Sequence, residues 1–223
     1  MATSLFPSSE PQQAGFNFPQ PLSEKYRPRA IAEFAGLEKP KKICSKLAAN
    51  PFDSAWIFYG PSGTGKTTLA MALAMAIPAE IHHIPSQDCN LEKIERVRRT
   101  CQYVPMEGCK YHLVLVDEAD QMTPAAQLAL LSKLDSTDAA PFTIWIFTCN
   151  DTTRLQDRFM SRCRMIEFSS YGISKEVTAL LEKIWIAETG GAGDRPNFAR
   201  ICKEANNNVR AALMTLETEI MAS

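Results

Sequence analysis

Residues 60–67, Gly-Pro-Ser-Gly-Thr-Gly-Lys-Thr, constrain the fold more than any other part of the sequence. They match the pattern G-x-x-x-x-G-K-[ST], and an apolar strand candidate, Trp56–Tyr59, precedes them. Thr67–Ile77, rich in Ala, Leu and Met, follows and favours a helix. A strand, a glycine loop and a helix in this order are typical of a parallel sheet with helices on its faces.

The chemistry of this loop predicts a site for ATP and Mg²⁺. Glycines let backbone N–H groups turn inward around phosphate oxygens, and the helix that follows adds its positive N-terminal end. The Lys66 ammonium is suited to the outer phosphates, and the Thr67 hydroxyl can coordinate magnesium. The predicted nucleotide contacts of this segment are Gly60, Pro61, Ser62, Gly63, Thr64, Gly65, Lys66, Thr67 and Thr68.

Two further strand ends carry polar groups. Asp117 and Glu118 follow the apolar run Leu113–Val116, and an open α/β sheet presents ligand-contacting side chains at such ends. Asp117 can hold magnesium and Glu118 can polarise an attacking water, so the pair predicts ATP hydrolysis. Asn150 follows the strand Phe142–Thr148, where its amide could touch the terminal phosphate and the water; Asn equally favours turns, which leaves both interpretations open.

The remaining pattern predicts the domain organisation. Short apolar strands at 81–84 and 165–168 alternate with helices, among them 91–103 and 124–134. This alternation indicates an α/β fold with a five-stranded, doubly wound parallel sheet. Strand signals stop after Phe168, and three helices are predicted at 174–188, 196–205 and 208–222. We therefore predict a flexible tail over residues 1–22, a nucleotide-binding domain over 23–169 and a small helical lid domain over 170–223.

Charge and cysteine usage exclude several classes of protein. The net charge is −1 and the pI is near 6.3, which disfavours a protein that coats nucleic acid through a broad basic face. The seven cysteines form no C-x-x-C pair, so neither a zinc knuckle nor a disulfide framework is predicted. Neither a signal peptide nor an apolar run of membrane-spanning length is found in the sequence, and a cytoplasmic protein is expected.

Taken together, these motifs resemble those of the AAA+ ATPases of the clamp-loader clade, which includes replication factor C small subunits and the bacterial gamma-type subunit. The phosphate loop, Asp117-Glu118 and Asn150 fit this family, and Ser161-Arg162-Cys163 is specific to the clade. The opening Glu24-Lys25-Tyr26-Arg27-Pro28 is similar to the segment that lies against the adenine in this clade. The resemblance runs from about Glu24 to Glu219.

The resemblance implies a role for each matching position. Lys66 and Thr67 would serve the phosphates and magnesium, Asp117 the magnesium and Glu118 the water. The implied roles of the other positions are adenine contact for Tyr26, Arg27 and Pro28, sensor 1 for Asn150, an arginine finger acting on a neighbouring subunit for Arg162, and sensor 2 for Arg210. Without the family, Arg162 would be interpreted as a surface arginine beside Arg158 and Arg164.

The implied partners are other AAA+ subunits, with primer-template DNA and a sliding clamp as further candidates. DNA contacts are expected on the helix around residues 92–99, whose basic residues could equally form a solvated face with i,i+3 and i,i+4 ion pairs. These residues are Lys93, Arg96, Arg98 and Arg99. The sequence stops directly after the predicted lid, so an ATPase module without the helical collar of clamp loaders is expected. The alternatives are a nucleotide-gated scaffold with little turnover and another DNA-linked AAA+ activity such as branch migration.

Overall fold

The computed structural model describes residues 20–135, 140–192 and 194–222. Its strands are β1 (Ser54–Tyr59), β2 (Ala79–Pro85), β3 (Tyr111–Asp117), β4 (Thr143–Cys149) and β5 (Arg164–Glu167). Its α-helices are α1 (Leu22–Lys25), α2 (Glu38–Ala49), α3 (Lys66–Ala76), α4 (Leu91–Cys101), α5 (Pro124–Leu134), α6 (Asp157–Met160), α7 (Ser174–Thr189), α8 (Phe198–Glu204) and α9 (Val209–Ala222).

The strands form one parallel sheet in the order β2-β3-β4-β1-β5, which confirms the predicted five-stranded parallel sheet. The register brings the carboxyl ends of three strands to one edge. Tyr59 of β1 lies opposite Cys149 of β4, and Val116 of β3 lies opposite Phe147 of β4. The glycine loop after β1, Asp117 at the end of β3 and Asn150 after β4 therefore meet at this edge.

Helices cover both faces of the sheet and bury its apolar side chains. On one face, α2 and α3 pack over a cluster that includes Phe58 and Leu73. On the other, α4, α5 and α6 pack over a cluster that includes Ile57 and Phe147. All seven residues of β4 are buried, because this central strand has neighbours on both sides and helices above and below.

The lid helices α7, α8 and α9 enclose a third cluster, in which Leu181 and Leu216 are fully buried. The N-terminal segment belongs to this unit as well, because Leu22 is buried there and Tyr26 packs against it. The predicted end of the flexible tail at Leu22 is therefore wrong, because Leu22 is buried and begins α1. Residues 1–19 of that predicted tail lie outside the described residues.

Predicted element bounds agree best where a cap defines them. Helix α5 has the predicted limits, since the Thr123 hydroxyl accepts a hydrogen bond from the Ala126 N–H at 3.2 Å and Pro124 occupies the first turn. Helix α4 was predicted to extend to Tyr103 but ends at Cys101, and α8 starts two residues later than predicted. The single turn of α6 was not predicted, because four residues carry no readable period.

None of the helices in the described part of the chain has the length and apolar character needed to cross a lipid bilayer.

Candidate active site

The glycine loop between β1 and α3 is compressed against two neighbouring segments. Gly60 has φ 141°, and a Cβ there would overlap the Phe168 carbonyl oxygen. Gly63 has φ 74°, and a Cβ there would overlap the side-chain amide of Asn208 in the lid. Both positions therefore need glycine for backbone conformation and for space.

Lys66 begins α3 and is buried beneath the loop. Its ammonium donates hydrogen bonds to the carbonyl oxygens of Gly60 at 2.7 Å and Pro61 at 2.9 Å, and to Asn150 Oδ1 at 3.0 Å. Burial lowers the pKa of this ammonium, whereas the nearby carboxylates of Asp120 and Asp117 favour its charged form. The structure thus brings Lys66 and Asn150, predicted from separate motifs, into direct contact.

Asp117 is held by three side chains from three different elements. Its Oδ1 accepts hydrogen bonds from the hydroxyls of Thr67 and Thr148, both at 2.8 Å. Its Oδ2 lies 2.8 Å from His83 Nε2 on the neighbouring strand β2. The predicted magnesium residues Thr67 and Asp117 are therefore adjacent, and a hard cation that prefers oxygen ligands can replace their mutual hydrogen bond.

Glu118 follows Asp117 in a left-handed conformation with φ 52°. Its backbone N–H donates to the Thr148 hydroxyl at 3.2 Å, and its side chain is exposed at the sheet edge. A non-glycine residue at positive φ is uncommon and costs about 1 kcal/mol or more, so the turn is held against a local preference. Asp120, two residues further on, is buried and, among the described residues, its Oδ1 has no hydrogen-bond partner.

A cavity of about 500 Å³ lies between the loop, the N-terminal segment and the lid. Arg27 lines it and donates from Nε to the Thr68 hydroxyl at 3.2 Å. The Tyr26 hydroxyl donates to Glu188 of α7, and this hydrogen bond raises the pKa of Tyr26 to about 12. The predicted site residues that line the cavity are Tyr26, Arg27, Pro28, Gly63, Thr64, Gly65, Thr68 and Arg210, beside the apolar Phe34, Leu37, Ile184, Val209 and Leu213.

Arg162 does not join this group of residues. It follows α6, where its Nε donates to Asp135 Oδ1 at 2.7 Å and its Nη1 donates to the Arg158 carbonyl oxygen at 2.9 Å. Arg164 follows two residues later and lies opposite Trp56 in the sheet. Trp56 is four residues before Gly60. At about 3.3 Å per residue, this places the start of β5 roughly 13 Å from the loop along the strands.

Sequence reasoning missed three residues that organise the site: His83, Thr148 and Asn208. The first two hold Asp117, and Asn208 Nδ2 donates to the Ser62 carbonyl oxygen at 2.9 Å while its Oδ1 accepts from Ala211 N–H at 3.1 Å. Thr148 was visible only as part of an apolar strand. The Asn immediately before α9 signals a helix N-cap, but its contact with the loop spans 146 residues and has no local signature.

The donor set fits a nucleoside triphosphate with magnesium. Lys66 and the loop amides provide positive charge, and Thr67 with Asp117 provides oxygen ligands at 2.8 Å from each other. The adjoining cavity has the volume of ordinary ligand pockets, which is about 300–1,000 Å³. Its apolar side chains suit a flat ring system, and Arg27 and Arg210 add positive charge.

Comparisons with known proteins show which family the chain resembles. The model of the "ATPase family associated with various cellular activities (AAA)" matches residues 56–171, more than half of the chain. Replication factor C small subunit 1 of Pyrobaculum islandicum is 34% identical over 153 residues, which are 66% of this chain and 46% of that protein. The corresponding subunit of Thermofilum pendens is 29% identical over 202 residues, 87% of this chain and 61% of that protein.

Replication factor C subunit 2 of Oryza sativa is 27% identical over 214 residues, covering 89% of this chain and 62% of that protein. The chain thus spans between about half and three fifths of the length of these relatives. Their names match the clade indicated by the motifs.

Solved structures of similar fold include the Thermotoga maritima RuvB Holliday junction branch migration motor. It is 21% identical, with a TM-score of 0.70 over 86% of this chain and 64% of that chain. A single-residue mutant of the same protein gives a TM-score of 0.72 at 18% identity, over 89% of this chain and 68% of that chain. At these identities the likeness concerns the fold. With its parallel sheet, its glycine loop, its strand-end acidic pair and the family match over residues 56–171, the chain belongs to the AAA family of ATPases.

Proposed function

We propose that this chain binds ATP with Mg²⁺ and hydrolyses it as a subunit of a clamp-loader-type assembly. One observation carries the proposal: Lys66, Thr67, Asp117 and Asn150, from three separate segments, are joined by hydrogen bonds of 2.8–3.0 Å at the carboxyl edge of the sheet. Such a group of an ammonium, a hydroxyl, a carboxylate and an amide has the composition that phosphoryl transfer to water needs.

Each residue has a distinct task in this proposal. Lys66 exchanges its carbonyl partners for outer phosphate oxygens, and Thr67 with Asp117 would hold magnesium. When bound, magnesium neutralises charge on the phosphates and orients them. Glu118 accepts a proton from the attacking water. Asn150 stays near Lys66 and orients that water. Catalysis then depends on position and charge, because phosphoryl transfer requires little covalent chemistry from the protein.

The cavity beside the loop is proposed to hold the adenosine. Tyr26, Arg27 and Pro28 form the wall contributed by the N-terminal segment, and Arg210 approaches from the first turn of α9. The link between Tyr26 and Glu188 joins this wall to the lid, so the base would be enclosed by two parts of the chain that already contact each other.

The first test is Glu118→Gln, which keeps the size of the side chain and removes its basicity. ATP turnover is expected to fall by about 10²–10⁴-fold, the usual contribution of a general base, while ATP affinity changes little. Turnover is measured as phosphate release, and affinity by titration calorimetry. Glu176→Gln, an exposed substitution on α7, is the matched control and should leave both quantities unchanged.

A Glu118→Gln variant with undiminished turnover would contradict the catalytic assignment. If the unsubstituted chain binds ATP but shows negligible turnover, the alternative of a nucleotide-gated scaffold would be favoured.

A DNA role is proposed from the names of the relatives and from helix α4. Arg96 and Arg99 of α4 are exposed, whereas Arg98 donates to Glu95 at 3.0 Å. Primed DNA is expected to stimulate ATP turnover, and the stimulation should fall steeply with salt because phosphate contacts release counterions.

Replacing both Arg96 and Arg99 with alanine should weaken this stimulation and lower the slope of log affinity against log salt by about 2. Lys175→Ala, which removes an exposed charge from the lid, is the control. If the double variant keeps the full salt slope, α4 is not the DNA-binding face.

A further inference from the structure

A second cluster of metal-ligand side chains lies away from the nucleotide site. It consists of His82 in β2, Cys101 at the end of α4 and His112 in β3, with one ligand atom of each residue within 4.8 Å of those of the other two. Cys101 is fully buried, His112 is 1% exposed and His82 is half-buried. Two imidazoles and a thiol are a donor set that suits a borderline-soft cation.

The orientation of His112 is fixed by the backbone. Its Nε2 lies 2.9 Å from the Tyr103 carbonyl oxygen, and its Nδ1 lies 3.0 Å from His82 Nε2. A carbonyl oxygen can only accept, so Nε2 carries the ring proton and the Nδ1 lone pair points into the cluster. Metal-binding histidines almost always donate their other ring N–H to a carbonyl or carboxylate in this way.

Glu80 supplies a fourth donor group beside the two rings. Its Oε2 lies 3.5 Å from His112 Nδ1, and its Oε1 lies 3.9 Å from His82 Nε2. The Met106 N–H donates to Oε2 at 3.0 Å, which holds the carboxylate in place from the loop after α4. A tetrahedral zinc ion brings nitrogen and sulfur ligands to about 3.3–3.6 Å from one another. The ligand atoms of His82, Cys101 and His112 lie within 4.8 Å of one another, so these three reach that spacing with shifts on the order of 1 Å.

The register of the sheet places this cluster away from the nucleotide site. Glu80 lies opposite His112 near the start of β3, and Pro85 lies opposite Asp117 at its end. Five residues at about 3.3 Å each put roughly 16 Å between the levels of His112 and Asp117 along β3. His83, the neighbour of His82, contacts Asp117, since consecutive strand residues point to opposite faces.

We propose that His82, Cys101 and His112, with Glu80 as fourth ligand, form a structural zinc site. Binding releases the Cys101 thiol proton to solvent, and His82 moves its ring proton from Nε2 to Nδ1 so that Nε2 can coordinate. Four protein ligands leave no open position, which is the mark of a structural rather than a catalytic zinc. The ion would tie the edge strand β2 to β3 and to the end of α4.

The test uses the full chain stripped with a chelator, then given zinc and passed through gel filtration. One zinc per chain should remain by elemental mass spectrometry. With free zinc about 100-fold above its dissociation constant, the midpoint of thermal unfolding should rise by about 5–10 °C. Cobalt in place of zinc should give the thiolate charge-transfer band and the d–d bands of a tetrahedral site. Retention of no zinc by the unsubstituted chain overturns the proposal, as does a cobalt spectrum without the thiolate band.

Matched variants separate this site from others. His82→Ala and Cys101→Ala should lose both the zinc and the thermal shift. His83→Ala, one residue along β2, and Cys44→Ala should retain them. Cys44 is as buried as Cys101, and burial raises the pKa of both thiols to about 12. Zinc retained in His82→Ala and Cys101→Ala, or lost in His83→Ala, overturns the proposal. If Cys101→Ala fails to fold, the cobalt spectrum of the unsubstituted chain still decides whether a thiolate binds the metal.

Discussion

Replacing Lys66 with alanine is expected to lower the affinity for ATP by at least about 100-fold. The ammonium already makes three hydrogen bonds at 2.7–3.0 Å under the loop, so it is positioned for oxygen acceptors before any ligand is considered. Hydrogen bonds to charged groups contribute about 1.5–3 kcal/mol each. Two such bonds to phosphate account for a hundredfold change, because 1.4 kcal/mol corresponds to tenfold in affinity.

Calorimetric titration with ATP and magnesium measures this change, and far-ultraviolet circular dichroism checks that the variant is folded. Lys42→Ala removes an ammonium from the exposed side of α2 and serves as the matched control. Unaltered ATP affinity in a folded Lys66→Ala protein would refute the assignment of residues 60–67 as the phosphate loop.

Arg162→Ala is expected to keep ATP binding and to lose about 10³-fold in turnover, the lower range for an arginine finger. Arg162 lies two residues before the start of β5, away from the carboxyl edge that carries the loop, and is paired with Asp135. A side chain at this distance from the phosphate loop is too far away to contact ATP bound to its own subunit. It is exposed enough, at 32% of its side-chain surface, to reach a neighbour.

Mixing experiments test whether Arg162 acts across a subunit interface. Arg162→Ala and Glu118→Gln proteins, each inactive alone, should recover part of the turnover when mixed, because some interfaces then combine an intact Glu118 with an intact Arg162. Arg158→Ala, which keeps the backbone carbonyl that Arg162 contacts, is the control and should retain full turnover. Recovery that never exceeds background would count against a shared interface.

Local patterns were sufficient for the elements with strong signals. The strand before the loop, the loop itself and the capped helix α5 depend on neighbouring residues, and their positions agree with the structure. Strand β2 was predicted over four residues but extends from Ala79 to Pro85. As an edge strand it carries Glu80, His82 and His83, which interrupt the apolar pattern that marks buried parallel strands.

Contacts between distant segments could not be inferred from the sequence in the same way. His83 meets Asp117 only because β2 and β3 are paired in register, and Asn208 meets Ser62 only because the lid folds back over the loop. The cluster of His82, Cys101 and His112 is likewise assembled from two strands and a helix end. A search for closely spaced cysteines could not have detected it, since it contains only one.

Asn208 gives the lid and the loop a thermodynamic linkage. One amide both starts helix α9 through the Ala211 N–H and holds the Ser62 carbonyl oxygen, while the Gly63 backbone lies against it. We therefore expect a rotation of α9 to displace the loop, and an anion that reshapes the loop to alter the preferred angle of α9. By reciprocity, any neighbour that fixes the angle of α9 changes the affinity for nucleotide by the same factor as nucleotide changes the affinity for that neighbour.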